Sequence, residues 1–379
     1  MTQLRVLSIF GTRPEAVKMA PVVQALRAEG GVVSLVCVTA QHREMLDQVL
    51  TLFDIKPDFD LNLMKPEQSL SSLTAEIFTH LDPVLESVHP DWVLVQGDTT
   101  TVMAASLAAF YRGIKVGHVE AGLRTGDKRQ PFPEEINRRI TSVVADLHFA
   151  PTQTSRENLL REGVADWRIR VTGNTVIDAL HQITGTAMPK QLAGWLRDWG
   201  VSSGEKRMVL VTAHRRENFG EPIIRICEAL RRLVTEHEDI CIVYPVHLNP
   251  NIQEPVYRML GDVPRIILID PQDYITLVHL LKNAHLVLTD SGGIQEEATG
   301  LGKPTLVLRD VTERPEGLEA GVLKLVGSDP DTILAGGSRL LDDTSAYTTM
   351  ARAANPFGDG KTAGRIVQAL LDYQETSRD

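Results

Sequence analysis

Residues 4–28 of the chain read LRVLSIFGTRPEAVKMAPVVQALRA, and this stretch decides the fold. Its first seven residues are almost continuously apolar, which is typical of a strand buried on both faces of a parallel sheet. Gly11 then allows a tight turn. Thr12 and Glu15 have the spacing of a capping box for a helix that carries Pro14 in its first turn. The stretch therefore predicts a strand, a turn and a helix, which together begin a strand–helix–strand unit.

The same alternation of short β-branched runs and amphipathic stretches continues along the whole chain. The predicted strands are Leu4–Phe10, Val32–Thr39, Trp92–Gln96, Lys115–Val119, Leu147–Ala150 and Ile169–Thr172 in the first half, and Met208–Thr212, Ile240–Val246, Ile266–Ile269, Leu286–Thr289, Pro304–Leu308 and Val322–Val326 in the second. The predicted helices include Glu15–Ala28, Thr101–Tyr111, Ser155–Glu162, Pro222–Glu236, Tyr274–Asn283 and Lys361–Tyr373. Nearly continuous apolar strands that alternate with helices predict parallel sheets covered on both faces.

A region rich in glycine, serine and proline near residues 184–204 separates the two sets of strands. We therefore predict an α/β fold of two Rossmann-like, doubly wound parallel-sheet domains facing a cleft. The predicted boundaries are 1–180 for the N-terminal domain, 181–204 for a linker, 205–358 for the C-terminal domain, and 359–379 for a terminal helix for which packing back on the N-terminal domain is one option.

Composition and charge limit the classes of partner. The 379 residues are 43% apolar and 23% charged, as in ordinary globular domains. The net charge of −10 argues against a nucleic-acid partner, because such binding needs a basic face. No apolar run approaches the length of a membrane span, and Leu4–Phe10 is too short for the core of a signal peptide. The three isolated cysteines exclude a disulfide framework and a thiolate zinc site. We therefore expect a cytoplasmic protein with no membrane partner.

Polar residues follow the predicted strands at their carboxyl ends, where open parallel sheets bind ligands. Asp98 and Glu135 have ordinary structural explanations, as a helix cap and as a favourable charge at a helix start. The coincidence of such residues at one edge of two sheets nevertheless predicts a site for a nucleoside diphosphate derivative. The strand-end residues are Arg13, Lys18, Asp98, Glu120, Glu134 and Arg138 in the first half, and His214, Arg215, His247, Ser291, Gly292, Gly293, Glu297 and Arg314 in the second.

The segment DSGGIQEE (290–297) indicates how a nucleotide would be held. Two glycines at a helix start let a phosphate approach bare N–H groups, and the carboxylate of Glu297 can accept both hydroxyls of a ribose. No GxGxxG follows a strand, and Gly360-Lys361-Thr362 lacks the earlier glycine of a P-loop. No histidine–carboxylate spacing is typical of a metal site either. The sequence thus predicts a nucleotide site without a dinucleotide, a P-loop or a metal.

Ten blocks of the sequence resemble, in the right order and over essentially the whole chain, the non-hydrolysing UDP-N-acetylglucosamine 2-epimerases of bacteria. The blocks are FGTRPEAVKMAPV (10–22), TAQHREMLDQVL (39–50), GDTTT (97–101), HVEAGLRTGD (118–127), PFPEEINR (131–138), VTGNTVIDAL (171–180), TAHRREN (212–218), YPVHLNPN (244–251), DSGGIQEEA (290–298) and LRDVTERPEG (308–317). The resemblance implies the two-domain GT-B fold, a homodimer, and interconversion of UDP-GlcNAc and UDP-ManNAc for surface polysaccharides.

The resemblance also implies a mechanism and roles for residues. Family members eliminate UDP across C1–C2, form 2-acetamidoglucal and add UDP back, so neither a cofactor nor a metal is expected. The implied acid/base residues are Asp98, Glu120 and Glu134. The residues implied around the diphosphate and sugar are Arg13, Lys18, Arg138, His214 and Arg314. Ser291, Gly292 and Gly293 would hold phosphate, Glu297 the ribose, and Gln272 and Leu277 the uracil.

Some relatives are activated by substrate at a second site, for which Gln41, His42, Arg215 and His247 are the candidates in this chain. Three alternatives stay open at this point. They are a GT-B glycosyltransferase that uses a UDP-sugar donor, a hydrolysing 2-epimerase that releases ManNAc, and a non-catalytic UDP-sugar sensor.

Overall fold

The computed structural model describes residues 3–40, 43–63, 65 and 68–376 of the chain. These residues form two compact units, the first comprising Met1–Ala179 with Phe357–Asp379 and the second Leu180–Pro356. Within the described ranges, no helix combines the length and the apolar character needed to cross a membrane.

The first unit is a parallel sheet flanked by helices. Its strands are β1 (Leu4–Phe10), β2 (Val32–Val38), β3 (Phe59–Asp60), β4 (Trp92–Gln96), β5 (Lys115–Val119), β6 (Leu147–Ala150) and β7 (Ile169–Val171). Its helices are α1 (Arg13–Ala28), α2 (Arg43–Leu52), α3 (Leu70–Val88), α4 (Thr100–Tyr111), α5 (Glu134–Val144) and α6 (Gln153–Arg161), and α7 (Thr175–Thr184) spans the position where the unit ends.

The strands of this sheet lie in the order β3-β2-β1-β4-β5-β6-β7, and every described pair is parallel. The order reverses between β1 and β4, where Leu7 pairs with Val93. Both residues are fully buried, as expected for a sheet covered on two faces. The loops that follow β1 and β4 therefore lead away from each other at the carboxyl ends of these strands. This is where open α/β sheets have a binding crevice.

The second unit repeats this architecture with six strands. They are β8 (Arg207–Thr212), β9 (Ile240–Pro245), β10 (Ile266–Ile269), β11 (Leu286–Thr289), β12 (Thr305–Val307) and β13 (Leu323–Leu325). Its helices are α8 (Lys190–Asp198), α9 (Glu221–Glu236), α10 (Pro250–Leu260), α11 (Tyr274–Asn283), α12 (Gly292–Gly300), α13 (Pro315–Glu319), α14 (Pro330–Asp342) and α15 (Thr344–Arg352).

Its strand order is β10-β9-β8-β11-β12-β13, again all parallel, so the reversal falls between β8 and β11. Thr212 and Thr289 end these two strands side by side, and their hydroxyl oxygens lie 2.6 Å apart. The residues that follow, Ala213-His214 and Asp290-Ser291, thus begin at one edge of the sheet.

Two differences from the sequence-based expectation change the organisation of the fold. The two-residue strand β3 pairs with β2 and gives the first sheet seven strands, one more than predicted. The predicted linker 181–204 contains the end of α7 and the whole of α8, and Leu192 and Leu196 of α8 are buried in an apolar cluster of the second unit. The segment is therefore part of a packed domain, because its apolar side chains recur at helical spacing.

The terminal helix α16 (Thr362–Thr376) belongs to the first unit, where it packs against α1. Tyr373 of this helix meets the buried Trp92 of β4 edge to face, with ring centroids 5.1 Å apart. Asp178 of α7 accepts the backbone N–H groups of Thr362 and Ala363 at 3.2 and 2.9 Å. The carboxylate of Asp178 therefore caps the helix with which the chain returns to the first unit.

Candidate active site

In the first unit, the loops after β1 and β4 are joined by the buried carboxylate of Glu15. Its Oε2 accepts the N–H groups of Gly11 and Thr12 at 3.1 and 2.7 Å, and its Oε1 accepts the hydroxyl of Thr99 at 2.8 Å. Burial raises the pKa of Glu15, and these hydrogen bonds oppose that shift. Glu15 thus fixes the start of α1, which carries the half-buried Arg13, against the loop that carries Asp98.

Glu120 follows β5 directly and is 8% exposed. Its Oε1 accepts Nζ of Lys18 at 2.6 Å and Nδ2 of Asn174 at 3.0 Å, while its Oε2 accepts the side-chain amide of Gln96. Its backbone has φ +63°, in the left-handed region that a non-glycine residue adopts at a cost of about 1–3 kcal/mol. The fold therefore holds this carboxylate in one strained and fully hydrogen-bonded position.

The position of Asp98 in the sequence suggested a cap for the following helix, but Asp98 does not cap α4. The N-cap is Thr99, whose side chain accepts the N–H of Val102 at 3.3 Å. The carboxylate of Asp98 instead accepts Nη2 of Arg138, and the Asp98 side chain stays 27% exposed. Asp98 is thus a partly accessible carboxylate in contact with a buried guanidinium.

Arg138 is oriented by two neighbouring residues of α5 and the preceding loop. Its Nη1 lies 3.3 Å from Oε2 of Glu135 and 3.4 Å from the carbonyl oxygen of Leu123. Glu135 is completely buried and also accepts Nε of Arg139 at 3.0 Å and the N–H of Thr125 at 3.1 Å. Glu135 therefore has a structural role, as its position at a helix start allowed.

Glu134 is the first residue of α5 and is half-buried. Its Oε2 has no hydrogen-bond partner among the described residues, in contrast to the fully bonded carboxylates of Glu120 and Glu135. An uncompensated carboxylate oxygen that is shielded from water is a suitable group for a proton that arrives with a substrate.

In the second unit, Asp290 organises the loop that follows β8. Its Oδ2 accepts the N–H groups of His214 and Arg215, both at 2.8 Å, and Nδ2 of Asn218 at 2.9 Å. Nδ1 of His214 lies 3.5 Å from Oδ1 of the same carboxylate. Sequence reasoning did not single out Asp290 or Asn218, although an acid directly after a strand at the reversal of the sheet order was the available signal.

His214 is stacked on His247, which follows β9, with ring centroids 5.4 Å apart. Burial lowers the pKa of His214, Asp290 opposes that shift, and Arg215 and His247 reinforce it. The neutral imidazole is thus the favoured form near neutral pH. His247 itself is exposed, and its Nδ1 accepts the N–H of Asn249 at 3.1 Å.

The start of α12 is a helix terminus of this unit that carries two glycines. Its N-cap Ser291 makes no side-chain cap hydrogen bond with the described residues. A Cβ atom built on Gly293 meets no heavy atom within 4 Å, and one on Gly292 lies 3.4 Å from Nη2 of Arg314. Arg314 is anchored by a 2.7 Å bond from its Nε to Oε1 of the buried Glu296. A guanidinium and a positive helix terminus therefore converge at this point, which favours an anion.

Further along the same face lie the predicted ribose and uracil residues. Glu297, 6% exposed, accepts the hydroxyl of Tyr274 at 2.9 Å. Gln272 lies in the loop between β10 and α11, and its side-chain amide donates to the carbonyl oxygen of Asp270 at 2.6 Å. Leu277 of α11 is partly buried against the apolar cluster under α12.

Two of the residues predicted for a second site, Gln41 and His42, lie outside the described residues. The other two, Arg215 and His247, follow the neighbouring strands β8 and β9. In the described part of the chain, no group of three or more histidine, cysteine or acidic side chains is arranged to hold a metal ion.

Comparison with known proteins gives a consistent result over the whole chain. A family model described as UDP-N-acetylglucosamine 2-epimerase matches residues 24–371. The UDP-N-acetylglucosamine 2-epimerase of Escherichia coli K12 is 57% identical over 369 residues, which are 97% of this chain and 98% of that relative. The crystal structure of UDP-GlcNAc 2-epimerase from Neisseria meningitidis bound to UDP-GlcNAc has a TM-score of 0.87 at 49% identity, over 97% of this chain and 100% of that one. The Staphylococcus aureus MnaA–UDP structure has a TM-score of 0.88 at 46% identity, over 98% and 97% of the two chains.

The predicted fold class is confirmed. Both units are Rossmann-like parallel sheets with helices on their faces, and the structural likeness places the chain in the GT-B-like class.

Proposed function

Because this chain belongs to the UDP-N-acetylglucosamine 2-epimerase family, we propose that it interconverts UDP-GlcNAc and UDP-ManNAc by eliminating UDP and adding it back through 2-acetamidoglucal. The observation that carries the proposal is a difference between the two units. The first presents carboxylates at its strand ends, above all Glu120, whereas the second presents an uncapped, glycine-bearing helix start beside Arg314.

The chemistry of the substrate explains the elimination. Carbon 2 of the sugar has no neighbouring ketone, so its proton is not acidic enough for simple enolisation. Breaking the C1–O bond while a base removes the proton from C2 yields UDP and the C1–C2 alkene. Return of UDP to C1 and of a proton to the other face of C2 gives the epimer. The reaction therefore needs proton-transferring groups for both faces of C2 and cations for the leaving diphosphate.

The first unit supplies groups suited to the proton transfers. Glu120 is locked in orientation by donors on both oxygens, Asp98 is partly exposed beside Arg138, and Glu134 has a shielded oxygen without a described partner. We assign these three carboxylates to acid/base catalysis. Lys18 contacts Glu120 and Arg138 contacts Asp98, so each of these two carboxylates has a cation beside it.

The second unit supplies groups suited to the nucleotide. We assign the diphosphate to the N–H groups of Ser291, Gly292 and Gly293 and to the guanidinium of Arg314. The neutral His214 can donate a hydrogen bond to the sugar or diphosphate without bringing a second positive charge. Glu297 would accept the ribose hydroxyls, and the segment with Gln272 and Leu277 would line the uracil. Arg13 of the first unit would contribute a further cation. UDP is both leaving group and nucleophile, so the scheme involves neither a metal nor a redox cofactor.

Incubation of the purified protein with UDP-GlcNAc in deuterated water tests the proposal. We expect UDP-ManNAc and recovered UDP-GlcNAc, both with deuterium at C2, because the proton that returns comes from solvent-exchanged carboxyl groups. Free ManNAc with loss of UDP would instead show a hydrolysing 2-epimerase. Sugar transfer to an added acceptor without exchange at C2 would show a glycosyltransferase, and binding without turnover a sensor.

The variant Glu120→Gln separates the chemistry from nucleotide binding. We expect exchange at C2 to disappear while the dissociation constant for UDP stays within about twofold, since the nucleotide residues lie in the other unit. Glu157→Gln, on the exposed face of α6 in the same unit, is the matched control and retains exchange. Wild-type exchange rates in Glu120→Gln would remove Glu120 from the mechanism.

We also propose a homodimer, supported by an aromatic patch at the end of α4. Phe110 and Tyr111 are 56% and 71% exposed, and Tyr111 stacks on Phe78 of α3 with centroids 6.1 Å apart. Large aromatic side chains exposed to water at a helix end are typical of a surface that another protein covers. Activation by a second nucleotide-sugar near Arg215 and His247 stays a prediction.

A further inference from the structure

One sequence block, VTGNTVIDAL (171–180), has no part in the assignments above, yet the structure brings its Asn174 to Glu120. Asn174 follows β7, and β6 separates β7 from the strand that precedes Glu120. The side chain thus reaches across the end of a whole strand to make this contact. It is 2% exposed, and most polar side chains buried at this depth are hydrogen-bonded, as Asn174 is.

The orientation of the Asn174 amide is fixed independently of Glu120. Its Oδ1 accepts the N–H of Val176 at 3.0 Å, so the amide nitrogen must point the other way, to Oε1 of Glu120 at 3.0 Å. Its backbone N–H donates to the carbonyl oxygen of Phe357 at 2.7 Å, where the chain returns to the first unit. The side chain can therefore be changed without altering the backbone contact.

We propose that Asn174 is a positioning residue that orients the carboxylate of Glu120 for proton transfer with a neutral donor. This inference rests on the proposed function, in which Glu120 exchanges a proton with C2. Oε1 of Glu120 also accepts the ammonium of Lys18 at 2.6 Å, and Gln96 holds Oε2. Two amides and one ammonium thus define the direction of the carboxylate lone pairs. An amide can do this without adding a second charge that would hold the proton-transferring group permanently ionised.

Several elements besides its own loop place titratable groups around Glu120. Lys18 on α1 is in direct contact, and the loop after β4 and helix α5 carry the paired Asp98 and Arg138. His118 on β5 is completely buried, and burial lowers its pKa to about 4, so it carries no charge at neutral pH. A charge introduced at Asn174 would therefore lie within hydrogen-bond distance of Glu120, as the charge of Lys18 does.

The isosteric variant Asn174→Asp tests the inference. It keeps an oxygen for the N–H of Val176 and places a carboxylate oxygen where the amide nitrogen faced Glu120. Two carboxylates at that distance share a proton, so the charged form of Glu120 needs a higher pH. In the pH profile of kcat for C2 exchange, we expect the acid limb to move to higher pH by about one to two units. We expect KM for UDP-GlcNAc to stay within about twofold of wild type.

Asn174→Ala and Asn283→Asp complete the experiment. Asn174→Ala removes the donor without adding charge, and we expect kcat to fall at least about tenfold without the upward shift of the acid limb. Asn283 is half-buried in the second unit and donates to the carbonyl oxygen of His279 at 2.7 Å. Asn283→Asp therefore controls for the loss of an amide donor elsewhere in the chain and keeps the wild-type profile. Thermal unfolding of each variant shows whether it is folded under the assay conditions.

The outcomes separate this inference from the proposed function. If wild-type protein shows no exchange at C2, the proposed function fails. If wild-type protein exchanges and folded Asn174→Asp keeps both the wild-type kcat and its pH profile, the positioning role is wrong and Asn174 serves only to hold its loop. Loss of thermal stability in Asn174→Ala together with unchanged kcat would also overturn it.

Discussion

The substitution Gly293→Ala is expected to stabilise the protein and weaken nucleotide binding at the same time. Gly293 lies in the first turn of α12, and a Cβ atom at this position meets no heavy atom within 4 Å. Alanine is therefore accommodated without movement. Because alanine is favoured over glycine in a helix by up to about 1 kcal/mol, and less in the first turn, we expect the free energy of unfolding to rise by about 0.5 kcal/mol.

The same open space is where a phosphate would approach the bare N–H groups of the helix start. A methyl group there displaces the phosphate from at least one hydrogen bond to a charged partner, which is worth about 1.5–3 kcal/mol. The dissociation constant for UDP should therefore rise roughly 10- to 100-fold. Titration calorimetry with UDP measures the binding, and urea denaturation without ligand measures the stability.

Gly194→Ala is the matched control. Gly194 lies inside α8 of the same unit, and its added Cβ atom also meets nothing within 4 Å. We expect a similar or larger gain in stability and an unchanged affinity for UDP. A UDP affinity for Gly293→Ala within about twofold of wild type, in a protein that is stabilised as expected, would refute the placement of the diphosphate at α12.

Three further predictions concern packing, pH and assembly. Gly11→Ala should lower the free energy of unfolding by about 1–3 kcal/mol, since its Cβ atom would lie 2.0 Å from Oγ1 of Thr39, and adding Thr39→Ala should restore part of the loss in urea denaturation. His118 is buried and its pKa is lowered to about 4, so the unfolded state binds more protons between pH 6.5 and 4. Stability should therefore fall as the pH drops through that range, by up to about 3 kcal/mol, and His118→Gln should flatten the dependence. Tyr111→Glu should convert the expected dimer to a monomer in light scattering, whereas a wild-type monomer would contradict the dimer.

The strands were predictable from the sequence because they are buried on both faces and read as continuous apolar runs. β1, β4 and β5 begin and end at the predicted residues. The strand Phe59–Asp60 was missed because two residues carry no periodicity. The helix Lys190–Asp198 was missed because nearby glycines, serines and a proline suggested a linker, although Leu192 and Leu196 lie one helical turn apart.

The candidate site was predictable only where a residue type is unusual at its position. A glutamate directly after β5 stood out, because glutamate is a poor cap, and the structure buries Glu120 there. Gln96 and Asn174, which contact Glu120, did not stand out, because an amide at a strand end is ordinary and its partner lies up to 54 residues away along the chain. Asp290 was missed although an acid directly after a strand was an available signal, because its partners in the loop after β8 lie about 75 residues away along the chain.

The two sheets have the same strand order around the point where the order reverses. They differ in how the N–H groups at the helix starts near that point are hydrogen-bonded. In the first unit, Glu15 binds the N–H groups before α1 and Thr99 caps α4, so both helix starts are already satisfied by the protein's own oxygens. In the second unit, Asp290 accepts backbone N–H groups of the loop after β8. The N-cap Ser291, in contrast, makes no side-chain hydrogen bond to the N–H groups of α12 among the described residues. The carboxylate of Glu15 thus already accepts the N–H groups of Gly11 and Thr12, which a phosphate at the start of α1 would need. In the proposed function, one fold thus serves proton transfer in one unit and phosphate binding in the other, according to whether a carboxylate of its own occupies the helix start.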